Sequence, residues 1–198
     1  MYLYGAGGHA KVIRDILECS GEKISGVIDD NPDIDTFMGM QVEHSLENVD
    51  EVIVCIGDEK SRRQTVEKLK ERNIKFGRAI HPSAVISAYA EIGEGSVVMP
   101  GAVVNSGSKV GCHCIVNSGA VVEHDCLLGD FVHVSPNATL CGGLCVGSST
   151  WIGAGAVVVH GMHIGAHCMI GAGSVVLHHI PDGVVAYGNP CKIIRNQE

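Results

Sequence analysis

Residues 84–113 read AVISAY AEIGEG SVVMPG AVVNSG SKVGCH, and the third letter of every group of six is isoleucine or valine. The same register continues without a slip to Val176, so that all sixteen positions counted from Ile86 are aliphatic. The residue two places earlier is usually small, and glycine often follows the aliphatic residue. A six-residue repeat of this kind predicts a parallel β-helix, in which each group forms one short strand and one corner.

The repeat also predicts how the coils stack. If three groups form one triangular coil, residues eighteen apart lie above one another, and the coils are separated by the inter-strand spacing of about 4.8 Å. The aliphatic residues then fill the interior, where each buried valine, leucine or isoleucine contributes about 1.5–3 kcal/mol. We therefore interpret most residues of this region as scaffold.

The charged residues are concentrated before the repeat. Of the 36 Asp, Glu, Lys and Arg residues, 26 fall in residues 1–82 and only 10 in the remaining 116. This shift predicts two domains, residues 1–81 and 82–198, which meet at His81–Pro82. The net charge of −8 is divided about equally between them and provides no basic surface for nucleic acid.

Export and membrane signals are weak in this sequence. The first residues, MYLYG, lack the charged segment and the apolar run of an export signal, and no stretch approaches the ~20 apolar residues of a membrane span. We expect a cytoplasmic protein with no membrane span. The nine cysteines are interpreted as small packing residues rather than as a disulfide framework.

A glycine-rich turn begins the N-terminal domain. A short apolar run leads into GAGGHA at residues 5–10, and the next residues have the periodicity of a helix that is apolar on one face. The N–H groups at the start of such a helix favour a phosphate. A second strand at residues 26–28 ends in Asp29 and Asp30, where a Rossmann-type fold places an acid on a ribose hydroxyl. The sequence therefore predicts nucleotide binding, and a tight structural turn is the alternative.

The rest of this domain is short. Residues 31–48 are expected to be irregular, and a third strand over residues 52–56 precedes Gly57 and a helix over residues 59–72. Arg62 on that helix faces either a nucleotide or solvent. Three or four parallel strands form only half of a dinucleotide fold, so we expect a mononucleotide rather than NAD.

One corner of the β-helix differs from its neighbours. Most corners consist of small residues, whereas the corner at residues 123–125 reads Glu-His-Asp. A carboxylate can orient a histidine and stabilise its charged form, and histidine titrates close to neutral pH, so this pattern predicts that His124 is a general base. Asn117 lies seven residues before it and His133 nine residues after it. Five other histidines are interpreted as surface corner residues: His160, His163, His167, His178 and His179.

The segment Cys112-His113-Cys114 could hold a metal ion. Adjacent strand residues point to opposite sides, however, and Cys114 falls in the column of small packing residues. We therefore expect no metal.

The sequence resembles the bacterial hexapeptide-repeat acyltransferases that modify nucleotide-linked amino sugars, most closely the UDP-4-amino-sugar N-acetyltransferases of bacillosamine-type pathways. The resemblance extends over essentially the whole length, and at its end Cys191 stands where the family has alanine. It rests on the segments Tyr4–His9, Asp29–Asp30, Ile56–Gly57 with Arg62, Asn117, Glu123–Asp125, His133 and Gly188–Lys192.

The resemblance implies an α/β Rossmann-like N-terminal domain, an all-β left-handed parallel β-helix and a homotrimer. Handedness comes from the resemblance alone, because the general crossover rule would predict the opposite hand. The resemblance also implies a UDP-sugar on the N-terminal domain and acetyl-coenzyme A between adjacent β-helices. The implied reaction, in glycan biosynthesis, is direct acetylation of the 4-amino group of a UDP-linked 4-amino-4,6-dideoxy sugar, without a covalent acyl-enzyme.

The resemblance also implies roles for individual residues. His124 is the general base, Asp125 increases its basicity, and Asn117 helps to position the acceptor. The family commonly has glutamate where Asp125 stands. The residues implied to line the coenzyme site are His133, Gly142, Ala154 and Ala172, and backbone groups near the last three could stabilise an oxyanion. The residues implied to bind the nucleotide sugar are Gly7, Gly8 and His9 for the diphosphate, Asp29 and Asp30 for the uridine, and also Gly57 and Arg62.

Three alternatives stay open. Sialic acid O-acetyltransferases share the glycine turn, the Glu-His corner and the β-helix, and differ in acetylating a hydroxyl group. A zinc-dependent carbonic anhydrase would need three histidines; the interval from His124 to His160 fits its first spacing, but the third ligand would fall at Gly165. A non-enzymatic nucleotide-binding trimer predicts that His124→Ala leaves function intact.

Overall fold

The computed structural model describes residues 1–197. The chain forms two compact units, Met1–Pro82 and a second unit that begins at Ser83.

The first unit contains a six-stranded sheet and two helices. Its elements are β1 (Tyr2–Tyr4), α1 (Gly8–Cys19), β2 (Gly26–Ile28), β3 (Thr36–Phe37), β4 (Met40–Glu43), β5 (Glu51–Val54), α2 (Glu59–Lys70), β6 (Lys75–Phe76) and β7 (Ala79–Ile80). The strand order in the sheet is β3-β4-β2-β1-β5-β6. All of these strands pair in parallel except β3, which is antiparallel to β4.

The prediction that residues 31–48 are irregular is wrong, because β3 and β4 form a hairpin there. Thr36 pairs with Gln41 and Phe37 with Met40, so the loop consists of Met38 and Gly39 alone. Both loop residues have a positive φ, 48° and 82°. This is the backbone of the two-residue turn that best fits the twist of a hairpin. Methionine is not typical of the first position of such a turn, so the sequence did not indicate the hairpin.

Helix α1 packs as its apolar pattern predicts. Helix α1 buries one face, which consists of Ala10, Ile13, Ile16 and Leu17. Helix α2 begins after Asp58, whose carboxylate accepts a hydrogen bond from the N–H of Ser61 at 2.8 Å. Capping of this kind satisfies one of the free N–H groups at the start of a helix.

The second unit is a parallel β-helix of sixteen two-residue strands, followed by two longer strands. The short strands are β8 (Val85–Ile86), β9 (Glu91–Ile92), β10 (Val97–Val98), β11 (Val103–Val104), β12 (Lys109–Val110), β13 (Ile115–Val116), β14 (Val121–Val122), β15 (Leu127–Leu128), β16 (His133–Val134), β17 (Thr139–Leu140), β18 (Cys145–Val146), β19 (Trp151–Ile152), β20 (Val157–Val158), β21 (His163–Ile164), β22 (Met169–Ile170) and β23 (Val175–Val176). The longer strands are β24 (Val184–Tyr187) and β25 (Lys192–Asn196), which pair antiparallel.

The pairing register is eighteen residues, as the three-group coil requires. Strand β11 pairs with β14 through Val103↔Val121 and Val104↔Val122, and the same offset recurs along all three faces. The second residue of each strand points inward, and Val104, Val122 and Leu140 are fully buried. The fold class predicted from the sequence, an α/β domain followed by a left-handed parallel β-helix, is confirmed.

Two further properties concern the whole described chain. No helix within residues 1–197 is both long and apolar enough to cross a membrane. All nine cysteines are free.

Candidate active site

The corner between β14 and β15 brings a histidine and a carboxylate together. His124 Nδ1 lies 2.9 Å from Asp125 Oδ2. This contact fixes the ring so that the opposite nitrogen, Nε2, is available to a substrate. Both side chains are exposed, 64% for His124 and 72% for Asp125. A histidine held by a carboxylate in this way can serve as a solvent-accessible general base.

Two glycines leave the space that this pair occupies. A Cβ at Gly142, one coil further along, would lie 2.5 Å from His124 Nε2. A Cβ at Gly107, one coil earlier, would lie 2.5 Å from Asp125 Oδ1. Both distances are shorter than any ordinary contact, so the pair depends on glycine at both positions.

Asn117 lies with His133 and Trp151. The Nδ2 atom of Asn117 is 3.1 Å from His133 Nε2, and the His133 ring stacks on Trp151 with centroids 5.3 Å apart and an interplanar angle of 9°. Trp151 Nε1 in turn donates to Ser135 Oγ at 2.5 Å. Asn117 and His133 were both predicted as site residues, whereas sequence reasoning missed Trp151. The signal was its position, eighteen residues after His133 and therefore directly beside it in the next coil.

His133, Trp151 and Ser135 line part of an apolar groove of about 430 Å³. Its lining residues are His133, Ser135, Pro136, Trp151, Gly153, Ala154, Met169, Ile170, Gly171 and Ala172. Three predicted coenzyme residues, His133, Ala154 and Ala172, are therefore brought together in this groove, and Gly142 lies instead beside His124. Within residues 1–197, the N–H groups of Gly142, Ala154 and Ala172 donate to no protein acceptor. These groups are available to a ligand.

The first unit has its own cavity, of about 310 Å³, at the carboxyl ends of its parallel strands. Its lining residues are Tyr4, Gly5, Gly7, Gly8, His9, Asp29, Asp30, Cys55, Ile56, Gly57 and Thr65. They include every predicted nucleotide-binding residue except Arg62. The first turn of α1 contributes Gly8 and His9, and backbone N–H groups at a helix start have no acceptor within the helix.

The two predicted carboxylates differ in what they contact. Asp29 accepts a hydrogen bond from the N–H of Ala6 through Oδ2, at 2.7 Å, and another from the N–H of Asn31 through Oδ1, at 2.8 Å. It therefore ties the glycine turn to the loop that follows β2. Asp30 instead accepts from Tyr4 Oη at 2.7 Å and from Lys68 Nζ at 2.8 Å.

The Asp30 cluster shifts two pKa values. Burial opposes ionisation of Asp30, but the hydrogen bonds from Lys68 and Tyr4 outweigh it and hold the pKa of that carboxyl below its usual range. Burial, and then the hydrogen bond to Asp30, raise the pKa of Tyr4. Sequence reasoning missed Tyr4 and Lys68 as members of this cluster. Lys68 gave no local signal, since it lies 38 residues after Asp30.

Arg62 lies behind the cavity. Its side chain is only 2% exposed, and its Nη1 atom donates to the carbonyl oxygens of Ile56 at 3.1 Å and Gly57 at 2.8 Å. The guanidinium therefore holds the loop that lines the cavity, so the interpretation as a solvated helix face is wrong. Burial, and then the charge of Arg62, lower the pKa of His9 to about 4, so this imidazole is neutral at neutral pH.

The Cys112–Cys114 segment is part of the packing. His113 is buried and stacks on Phe131 with ring centroids 5.1 Å apart. Cys114 points inward and its Sγ atom donates to the carbonyl of Gly129 at 3.1 Å. Among residues 1–197, no group of three or more His, Cys, Asp or Glu side chains has the geometry of a metal site.

Comparisons with known proteins match both units. Residues 1–69 match the family model of the PglD N-terminal domain, and residues 146–178 match that of the bacterial transferase hexapeptide. UDP-N-acetylbacillosamine N-acetyltransferase of Bacillus subtilis is 39% identical over 107 residues, which are 48% of this chain and 49% of that protein. The aligned part thus spans about half the length of this curated relative.

Solved structures match over nearly the whole length. A mutant of perosamine N-acetyltransferase from Caulobacter crescentus, in complex with CoA and GDP-perosamine, is 36% identical with a TM-score of 0.93, over 98% of this chain and 96% of that chain. The acetyltransferase domain of PglB from Neisseria gonorrhoeae, in complex with acetyl coenzyme A, is 37% identical with a TM-score of 0.89, over 98% of both chains. This chain therefore belongs to the family of hexapeptide-repeat sugar N-acetyltransferases with a PglD-type N-terminal domain.

Proposed function

We propose that this protein transfers the acetyl group of acetyl-coenzyme A to the 4-amino group of a UDP-linked 4-amino-4,6-dideoxy sugar. The observation that carries the proposal is the exposed His124–Asp125 pair, with Nδ1 of the imidazole 2.9 Å from the carboxylate. The named activities of the Bacillus, Caulobacter and Neisseria relatives, all acetyltransferases, support the same class of reaction.

The chemistry requires a single proton-transfer group. The neutral amine nitrogen attacks the thioester carbon while Nε2 of His124 accepts a proton from the nitrogen. The C–S bond then breaks, and the leaving thiolate takes that proton from the imidazolium. Asp125 orients the ring and stabilises its charged form during the step. The unpaired N–H of Gly142, beside the ring, is a candidate donor to the oxyanion.

The groove of the second unit has the chemistry that the coenzyme needs. The pantetheine arm of coenzyme A is a flexible chain with two amides, and the groove offers apolar side chains together with the free N–H groups of Ala154 and Ala172. In this proposal His133 contacts the coenzyme directly, and Asn117 orients His133 through their 3.1 Å contact. Asn117 thus supports the cofactor side of the site rather than the acceptor.

The cavity of the first unit is proposed to hold the nucleotide. Gly7, Gly8 and His9 at the start of α1 bind the diphosphate, because N–H groups at a helix start favour an anion. Asp30 is presented to the cavity by Tyr4 and Lys68 and recognises the uridine. Asp29 and Arg62 shape the walls through their backbone contacts.

A GDP-linked sugar is the second candidate, because the Caulobacter structure contains GDP-perosamine and matches this chain over 98% of its length. The test is to incubate the purified protein with acetyl-coenzyme A and a matched panel of UDP-, GDP- and dTDP-linked 4-amino-4,6-dideoxy sugars, and to measure thiol release. We expect turnover on a UDP-linked amine that is lost in His124→Ala. Preference for a GDP-linked amine would replace UDP in the proposal, and turnover only on hydroxyl acceptors would overturn N-acetylation.

We also propose that the protein is a homotrimer and acts in the cytoplasm. One outer face of the β-helix supports self-association, since the outward residues of its strands are apolar and at least partly exposed: Val85, Val103, Val121, Val157 and Val175, with one threonine, Thr139. The outward residues of another face are Glu91, Lys109, Leu127, Cys145 and His163.

A further inference from the structure

A buried serine holds both ends of the corner that carries His124. Ser108 lies in the interior, fully buried, and its Oγ donates to the carbonyl of Glu123 at 2.6 Å. The same oxygen accepts a hydrogen bond from the N–H of Cys126 at 3.0 Å. His124 and Asp125 are the two residues between these attachment points. One hydroxyl therefore closes the turn on which the proposed base and its carboxylate stand.

The contact continues into the next coil. The Sγ atom of Cys126 donates to the carbonyl of Cys141 at 3.2 Å, and Cys141 directly precedes Gly142. Ser108 and Cys126 thus connect the backbone of the His124 corner with the backbone of the glycine against which the His124 ring lies.

Packing alone does not require this hydroxyl. Alanine occupies the equivalent interior position in many groups of the repeat, among them Ala90, Ala102, Ala120 and Ala138, and all but Ala90 are fully buried. Ser108 is the only hydroxyl-bearing residue in its own column of the β-helix. The residue one coil earlier is Ala90, and the residues in the next three coils are Cys126, Leu144 and Met162.

We propose that Ser108 is a positioning residue for the His124–Asp125 pair. The proposal rests on the proposed function, in which His124 is the general base. Without the hydroxyl, the carbonyl of Glu123 and the N–H of Cys126 lose a buried partner, and the turn relaxes to satisfy them. A displacement of about 1 Å of a catalytic group can lower the rate about 100-fold, so a small relaxation suffices to affect turnover.

The β-helix contains a matched control for this serine. Ser96 is also fully buried, donates to the carbonyl of Gly111 at 2.8 Å and accepts from the N–H of Cys114 at 2.9 Å. Its corner carries no residue of the proposed site. Thr150 makes the same two contacts, with Gly165 at 2.7 Å and Cys168 at 3.0 Å, so threonine is compatible with the position.

The experiment compares Ser108→Ala, Ser108→Thr and Ser96→Ala in the full-length protein. For each variant, kcat and KM for the amine acceptor are measured together with the melting temperature. We expect Ser108→Ala and Ser96→Ala to lower the melting temperature alike. Only Ser108→Ala should lower kcat, by roughly 10-fold or more with little change in KM, and Ser108→Thr should restore kcat. If Ser108→Ala fails to fold, Ser108→Cys replaces it, because a thiol is a weaker donor that this interior already accommodates.

Two outcomes would overturn the proposal while leaving the proposed function intact: an equal kcat in Ser108→Ala and Ser96→Ala, or a kcat loss in Ser108→Ala that threonine does not restore. If the wild type acetylates no amine, the proposed function fails, and the His124 ring is then followed by long-range ¹H–¹⁵N NMR. A change in the tautomer signals of His124 in Ser108→Ala, absent in Ser96→Ala, would still support the positioning role. Identical spectra would contradict it.

Discussion

Asp125 occupies a backbone position that the neighbouring coils give to glycine. Its φ is +59°, and the equivalent corner residues are Gly107 and Gly143 in the adjacent coils and Gly161 two coils further along, with φ between +67° and +76°. Aspartate tolerates this left-handed region better than most residues because its short side chain can bond locally. Here that local bond is the one to His124. The strained backbone at Asp125 therefore positions the carboxylate of the proposed site.

This strain leads to the first prediction. Replacing Asp125 by glycine removes the strain and the orienting carboxylate together. We expect Asp125→Gly to fold with unchanged or slightly increased stability, by up to about 1 kcal/mol, and to lose roughly 10- to 100-fold in kcat. Urea unfolding and steady-state kinetics on the same preparation measure the two effects. A variant that is clearly less stable than the wild type would show that the corner is not strained.

The space at Gly142 leads to the second prediction. Its φ is not positive, so alanine adds only a methyl group, which would lie 2.5 Å from His124 Nε2. Since the contacted atoms are the end of a side chain, the ring moves and the backbone stays. We expect Gly142→Ala to keep its stability within about 0.5 kcal/mol and to lose about 100-fold in kcat.

The double variant His124→Ala/Gly142→Ala is the control for this effect. If alanine acts only by displacing the ring, the double variant is no slower than His124→Ala alone. A further loss in the double variant would mean that Gly142 contributes to the reaction through its own backbone.

His9 leads to a prediction about pH. The folded protein keeps this imidazole neutral down to about pH 4, whereas the unfolded chain protonates it near pH 6.5. The unfolded state therefore binds more protons in this window, and stability falls as the pH is lowered through it. We expect His9→Gln to lose less stability than the wild type between pH 6.5 and 4, with a difference of at most about 3 kcal/mol. The free energy of unfolding of both proteins is measured by urea unfolding across this pH range. Parallel pH profiles of wild type and variant would contradict it.

At the scale of the elements, the β-helix could be predicted almost completely and the first unit only in part. A strict period determines strand position, register and inward side at once, because each coil repeats the same local geometry. The hairpin of β3 and β4 depends instead on two positive φ values at Met38 and Gly39, of which only the glycine is visible in the sequence. The predicted eighteen-residue offset places Trp151 beside His133, but the offset alone does not distinguish a residue of the site from scaffold, and Trp151 was therefore missed. The contact of Asn117 with His133, sixteen residues apart, depends on side-chain orientations that the repeat does not determine.

Helix α2 leads to a prediction about the nucleotide cavity. Its first turn is capped by Asp58 and carries Arg62, which holds the carbonyl groups of Ile56 and Gly57. We expect Asp58→Ala to cost about 1 kcal/mol of stability and to raise KM for the nucleotide sugar more than it lowers kcat. Asp58→Ser, which retains a capping oxygen, should restore both. An unchanged KM for the nucleotide sugar in Asp58→Ala would show that the helix cap does not influence binding in the cavity.

At the scale of the whole molecule, each unit carries one of the two proposed substrate sites, the nucleotide cavity within residues 1–82 and the base and coenzyme groove in the β-helix. The β-helix has a further surface that neither site uses. We call it the valine face, and it consists of the outward strand residues Val85, Val103, Val121, Thr139, Val157 and Val175. Exposed β-branched residues in a continuous column are costly in water, since each buried methylene group contributes about 0.8 kcal/mol. Burial against another copy of the chain removes this cost.

The last prediction tests this interface. Val121, in the middle of the valine face, is partly exposed, and glutamate there would place a charge in the proposed contact between copies. We expect the wild type to have three times the 20.8 kDa mass of the chain by light scattering, and Val121→Glu to have the mass of one chain. Leu127→Glu is the matched control, because Leu127 is an outward strand residue on the face that also contains Glu91 and Lys109. It should remain trimeric, since a carboxylate is tolerated where the surface is already charged. Dissociation of Leu127→Glu, or a trimeric Val121→Glu, would mean that the valine face is not where the copies meet.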